Sequence, residues 1–134
     1  MRLLILTTAL GLAGCAETPR QAEARLKTET RTNAALDREL MGRVAGPAQM
    51  CVSASDRREM NGYGEILVFR GAGDVRYVTQ TTGCRNVGGE NILVTRTTGT
   101  QLCRGDIATT VDRTSRIQSG SCSFGDFIPY RRPR

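Results

Sequence analysis

The 134-residue chain contains no histidine and no tryptophan, and Lys27 is its only lysine. Serine and cysteine catalysis by the usual triads needs an imidazole base, and most catalytic zinc sites use histidine ligands. The missing histidine therefore excludes both kinds of site. A Ser–Lys pair would depend on Lys27, which lies in a polar segment where nothing can desolvate it. Only six residues are phenylalanine or tyrosine, so a large aromatic core is excluded as well.

Long apolar segments are also scarce, and the one present lies at the start of the chain. Residues 3–14 carry no charge and follow a single basic residue, Arg2. This arrangement is typical of a secretory signal, with a charged region before a short apolar region. It is too short for a transmembrane helix, which needs about 20 apolar residues. The chain then turns polar directly after Cys15.

The end of this segment, Leu12-Ala13-Gly14-Cys15, resembles the lipobox of bacterial lipoproteins. The resemblance implies that residues 1–14 are a signal peptide and that Cys15 becomes the lipidated N-terminus. Two or more acyl chains hold a protein firmly on a membrane. In such lipoproteins an aspartate directly after the lipidated cysteine keeps the protein from transport to the outer membrane. Ala16 stands at this position, so the resemblance implies the outer membrane. We therefore expect lipid anchoring in the cell envelope, facing the periplasm; a plain secretory signal with Cys15 kept in the mature chain is the alternative.

The remaining cysteines, Cys51, Cys84, Cys103 and Cys122, are even in number and form no C-x-x-C pair. In an oxidising periplasm this pattern predicts two disulfides rather than a zinc or redox site. Four cysteines allow three pairings. We favour Cys51–Cys122, which would join the first and last strands, and Cys84–Cys103. Each bridge would contribute about 2–4 kcal/mol.

The charge balance is modestly basic. Without Arg2 the chain has 18 basic and 13 acidic side chains, a formal charge of +5, and the basic residues form no long block. Besides the membrane, an envelope protein or an anionic polymer is therefore a candidate partner. Nucleic acid is not expected, because no basic cluster with interleaved aromatic residues is present. The C-terminal residues 130–134 include three arginines. We interpret them as a solvated tail or, alternatively, as a contact with anionic envelope polymers.

Residues 15–47 have the composition of a tether. Thr18 is a good N-cap before a proline, Gln21 can close a capping box, and Gly42 can end the helix. The threonines and asparagine in residues 28–33 weaken the middle of this segment. We therefore expect a broken or transient helix, serving as a tether or, alternatively, as a partner-binding helix.

Residues 48–134 carry the pattern of a β domain. Runs rich in β-branched and aromatic residues, bounded by glycines, predict strands. The predicted strands are 65–70, 75–82, 91–97, 107–112 and 124–130, with a short first strand near Val52. Pro129 suggests that the last of them lies at an edge. We predict a mainly β fold, a small antiparallel partial barrel or sandwich of five to six strands with two disulfides, preceded by a helical or disordered tether.

Paired carboxylates remain as a formal route to hydrolysis. The candidates are Glu65, Asp106, Asp112 and Asp126. The three aspartates fit strand ends and turns, so we predict no catalytic residue, no metal site and no cofactor. Two acidic side chains converging in a cleft would reopen the question.

Several segments between residues 49 and 130 resemble an uncharacterised group of small exported cysteine-containing proteins from proteobacteria. They are Gln49-Met-Cys-Val52, Glu65-Ile-Leu-Val-Phe-Arg70, Gln101-Leu-Cys-Arg-Gly-Asp-Ile107 and Gly120-Ser-Cys-Ser-Phe-Gly-Asp-Phe-Ile-Pro-Tyr130. That resemblance implies no activity. We expect a non-enzymatic envelope lipoprotein whose β domain contacts proteins or polymers. The alternative is a lipid-anchored inhibitor or ligand-binding module acting on an envelope hydrolase or protease.

Overall fold

The computed structural model describes residues 17–97 and 99–134. The predicted lipidation site Cys15 and the signal segment before it lie outside these residues. The described chain begins with one long helix, α1 (Pro19–Leu40), and continues as short strands. The strands are β1 (Val44–Ala45), β2 (Cys51–Ser53), β3 (Glu59–Tyr63), β4 (Ile66–Arg70), β5 (Arg76–Thr82), β6 (Asn91–Thr95), β7 (Gln101–Cys103), β8 (Ile107–Asp112) and β9 (Gln118–Arg131).

Six of these strands form a curled antiparallel half-barrel in the order β3-β4-β5-β9-β8-β6. The short β1 pairs with the end of β9, while β2 and β7 form a separate two-stranded sheet. The prediction of a mainly β, partly closed antiparallel fold with two disulfides and a preceding helix is confirmed.

The longest strand, β9, is central, so the prediction that Pro129 marks an edge strand is wrong. β5 borders one side of β9, whereas β8 borders the other side only as far as Ser123. The Pro129 carbonyl accepts a hydrogen bond from Gly46 N–H on that other side, at 2.7 Å. Because the N–H and C=O positions of one strand residue point the same way, the proline nitrogen also faces this short border. The missing N–H therefore costs no bond to β5.

Helix α1 is continuous over 22 residues, a length of about 33 Å. The predicted break at residues 28–33 is wrong. The hydroxyls of Thr28 and Thr30 donate to carbonyls four residues earlier, at 3.0 and 2.8 Å, which satisfies these side chains inside the helix. The predicted N-terminal cap is confirmed, because Thr18 Oγ1 accepts from Gln21 N–H and the Gln21 side chain accepts from Thr18 N–H.

The second half of α1 packs on the outer face of the half-barrel. Thr32 lies beside Gly64 in the β3–β4 turn, and Glu39 contacts Arg70 at the far end of β4. The helix therefore runs along these two strands, and its exposed first half extends past the turn. Since β1 follows and joins the sheet, part of the segment 15–47 is built into the β domain.

The hydrophobic core lies on the opposite, inner face of the half-barrel. The chain's three phenylalanines, Phe69, Phe124 and Phe127, meet there, with ring centroids 6.1–6.4 Å apart. Alternation alone would place Phe124 and Phe127 on opposite faces, but a bulge in β9 between them turns both inward. Val52 of β2 and Leu102 of β7 are fully buried in the same cluster. The small sheet thus closes the open side of the half-barrel.

The two disulfides are Cys51–Cys103 and Cys84–Cys122, so the predicted pairing Cys51–Cys122 and Cys84–Cys103 is wrong. The prediction assumed that β2 neighbours the last strand. Instead β2 pairs with β7, which places Cys51 directly opposite Cys103, with Cα atoms 4.0 Å apart. The end of β5 pairs with β9 next to Cys122, and this brings Cys84, two residues after β5, to the second bridge.

Candidate functional site

Glu39, on the last turn of α1, joins the helix to the sheet. Its carboxylate accepts hydrogen bonds from Arg70 Nε at 3.0 Å, Arg70 Nη2 at 2.9 Å and Arg76 Nε at 2.7 Å. The Glu39 side chain is only 11% exposed. The hydrogen bonds from Arg70 are the largest influence on this carboxyl and hold its pKa below the ordinary value. An ionised carboxylate therefore fixes the helix on the sheet.

Asp74, in the loop between β4 and β5, gathers three further cationic contacts. Arg43 binds it through both terminal nitrogens, at 3.0 and 2.8 Å. Arg76 Nη1 lies 3.2 Å and Arg132 Nε 3.1 Å from the same carboxylate. The Arg43 hydrogen bonds are the main cause of the lowered pKa of Asp74. The chain entering the sheet, the loop and the C-terminal tail thus meet at one carboxylate.

These two carboxylates belong to a strongly basic end of the half-barrel, which we call the arginine end. Here β3 and β5 begin and β4 and β9 end, because the register pairs Glu59 with Arg70 and Arg70 with Arg76. Nine arginines and five acidic residues belong to it. Their net charge is +4, out of a formal +6 for the whole chain. They are Arg38, Arg43, Arg57, Arg58, Arg70, Arg76, Arg131, Arg132 and Arg134, with Asp37, Glu39, Asp56, Glu59 and Asp74.

A groove of about 1140 Å³ lies beside the first half of α1, near the opposite end of β3 and β4. Its walls carry both positive and negative side chains. Two of them, Arg85 and Glu65, form an ion pair with Nε 3.0 Å from Oε1. Three basic and three acidic side chains line it, namely Arg25, Arg31, Arg85, Glu29, Glu65 and Glu90. This balance gives the groove no preference for an anion or a cation.

The strand β6 forms one edge of the half-barrel. The N–H and C=O of Asn91 bond to the loop at residues 86–88. The alternation of an antiparallel ladder then turns the N–H and C=O of Leu93 and Thr95 toward the open edge. On the outer face of this edge, the side chains of Ile92 and Val94 are exposed, so polar backbone and apolar side chains are both available.

The three aspartates considered for hydrolysis are each bound locally, in a turn or an ion pair. Asp106 accepts the Cys103 N–H at 2.8 Å before β8, and Asp112 at the end of β8 accepts from the turn that follows. These turn hydrogen bonds, chiefly from Ser115, lower the pKa of Asp112. Asp126 pairs with Arg104. Asp106 and Asp112 therefore lie at opposite ends of one six-residue strand and do not converge in a cleft.

Two observations bear on metal binding and membrane insertion. Within residues 17–97 and 99–134, no three histidine, cysteine, aspartate or glutamate side chains are grouped to hold a metal ion. In the same part of the chain, no helix has both the length and the apolar character needed to cross a bilayer.

Sequence reasoning considered only the C-terminal arginines and missed the rest of the arginine end. Its members come from six separate stretches of the chain, and only the sheet register gathers them. Arg70 and Arg76, which flank the turn between two predicted strands, were the available signal. No protein-family profile, curated protein or solved structure matches the chain.

Proposed function

We propose that the chain is a non-enzymatic lipoprotein of the bacterial cell envelope, anchored through Cys15 in the outer membrane, facing the periplasm and contacting an envelope polymer or protein. The observation that carries this proposal is Leu12-Ala13-Gly14-Cys15 behind an uncharged apolar segment. Two disulfides are compatible with an oxidising compartment. Only three residues separate Cys15 from the start of α1.

Mass spectrometry of the mature protein tests the anchoring directly. The full chain, produced in a bacterial host that lipidates its own proteins, is expected to begin at Cys15 and to carry acyl groups. Cys15→Ala should remain unprocessed, whereas Thr18→Ala, which leaves the four lipobox positions intact, should be processed normally. A chain that begins at Met1, or a free thiol at Cys15, would contradict the proposal. Density separation of the membranes then distinguishes outer from inner membrane.

A second candidate function, a lipid-anchored inhibitor or ligand-binding module, is favoured by the open edge of β6. Extended segments bind such edges through main-chain hydrogen bonds, and side-chain pockets add specificity. An inhibitor should bind an envelope hydrolase or protease in stoichiometric amounts and stop its activity. Val94→Lys should abolish that inhibition, whereas Ile117→Lys, at an exposed position outside β6, should not. A partner that keeps its activity when bound would favour the contact function instead.

A further inference from the structure

The arginine end has more cationic groups than its own carboxylates pair. Within the described part of the chain, five of its arginines form no ion pair, namely Arg38, Arg57, Arg58, Arg131 and Arg134. The Nε atoms of Arg43 and Arg57 are buried there without a hydrogen-bond partner. These two atoms are out of reach of a ligand, so the unused capacity of this surface to bind acceptors lies in the terminal guanidinium nitrogens of the five unpaired arginines.

The arginines are spread along a row rather than gathered around one point. Adjacent strands lie about 4.8 Å apart, so the three steps from β3 to β9 place Arg58 and Arg131 about 14 Å apart across the end of the sheet. Arg70 and Arg76 lie between them on β4 and β5, but their side chains are on the face toward α1, where Glu39 pairs with both. Arg58 and Arg131 are each one position from the residues paired on that face, so they belong to the opposite face. A single small anion would contact only part of such a row. Repeated anionic groups on a polymer match its length better.

The direction of α1 separates this row from the lipid anchor. The helix starts next to Cys15 and reaches the arginine end after about 33 Å. Charges on the anchoring membrane are screened over about 8 Å at physiological ionic strength. Leu26 is the only large apolar side chain exposed within α1, so the helix has no apolar face with which to lie in the membrane surface. A lipid anchor at Cys15 would therefore leave the arginine end one helix length away along the chain, with no apolar face of α1 to draw it back to the membrane surface.

Resting on the envelope location proposed above, we infer that the arginine end binds the peptide carboxylates of the cell-wall polymer, peptidoglycan. A guanidinium matches a carboxylate through two parallel hydrogen bonds. The contact between Arg43 and Asp74, at 3.0 and 2.8 Å, already shows this geometry at the site. The helix would hold this end about 33 Å from a lipid anchor at Cys15, beyond the range over which the headgroup charges of the anchoring membrane act.

Cosedimentation with purified cell-wall sacculi tests the inference. The chain is used from Cys15 onward in a Cys15→Ser form, so that the result does not depend on lipid attachment, which mass spectrometry measures separately. Arg58→Gln combined with Arg131→Gln removes two charges from the row without breaking an ion pair of the described residues. Arg96→Gln combined with Arg113→Gln is the matched control, since both side chains are exposed near the ends of β6 and β8. Circular dichroism and intact disulfides confirm folding.

The parent chain is expected to sediment with sacculi, and the affinity should fall by about tenfold in the Arg58/Arg131 variant. The control variant should stay within about twofold of the parent. Equal losses in the two variants would show a general charge effect and overturn the assignment. Absence of binding to sacculi, or binding to phosphatidylglycerol vesicles in its place, would also overturn it, while leaving the lipid-anchor proposal untouched.

Discussion

The ion pairs of Glu39 make the docking of α1 measurable. Glu39→Gln keeps the size of the side chain but removes its charge, so Arg70 and Arg76 each lose a charged partner. Hydrogen bonds to charged groups contribute about 1.5–3 kcal/mol, and breaking a fully buried pair costs about 3–5 kcal/mol. Arg70 is 37% exposed, and the glutamine oxygen still accepts one hydrogen bond. We therefore expect the free energy of unfolding to fall by about 2 kcal/mol.

Urea unfolding with both disulfides intact measures this difference, and a loss of about 2 kcal/mol is about a 30-fold change in the folding equilibrium. Asp37→Asn is the matched control because it removes the same charge from an exposed position of the same helix. Its effect should be below about 0.5 kcal/mol. Amide exchange should also quicken in the second half of α1 in the Glu39 variant only. Equal stabilities of the two variants would refute the packing of α1 on the sheet.

Three further predictions concern the pH dependence of stability, the space at Gly62 and the disulfide pairing. Acid should destabilise the parent chain more than Glu39→Gln, because the pKa of Glu39 is lowered in the folded state. The contribution of Glu39 to the free energy of unfolding is complete above the ordinary pKa of 4.5 and is lost as the pH falls through the folded pKa. Urea midpoints of both proteins at neutral and acidic pH measure this difference. Gly62→Ala should cost about 2–3 kcal/mol of unfolding free energy, because a Cβ there would overlap the backbone carbonyl of Val87. Gly99→Ala, which meets nothing within 4 Å, should cost less than 1 kcal/mol, and urea unfolding of both variants measures the difference. A nonreducing peptide map should join Cys84 to Cys122, and any other partner for Cys84 would refute the topology of β5 and β9.

The strands that sequence reasoning found are those with strong local preference. β4 and β5 consist largely of β-branched and aromatic residues, and their hairpin forms as predicted. The missed strand β3, Glu59–Tyr63, includes an asparagine and a glycine, which disfavour strands locally. It forms because Met60 and its neighbours pair with β4. The sequence therefore predicted strands where propensity and pairing agree, and missed β3, which depends on its neighbour, as well as the two short strands β1 and β7.

The candidate site was less predictable for a related reason. Arg70 and Arg76 are close in sequence, but Glu39 lies about thirty residues earlier and looked like one charge among many on an uncertain helix. The cysteine pairing failed in the same way, because the partner of Cys51 depends on which strand lies beside β2. Both features require the long-range register, and local residue patterns do not contain it.

The disulfide connectivity has a consequence for how the protein matures. The bridges cross in sequence, joining the first cysteine of the domain to the third and the second to the fourth. If the chain is exported N-terminus first, as proposed above, Cys51 and Cys84 are present together before either native partner has arrived. Rapid oxidation would then join these two, and thiol–disulfide exchange would have to undo that bond. The central strand β9 also comes last in the chain, so neither native bridge can be complete until the second half of the β domain is present.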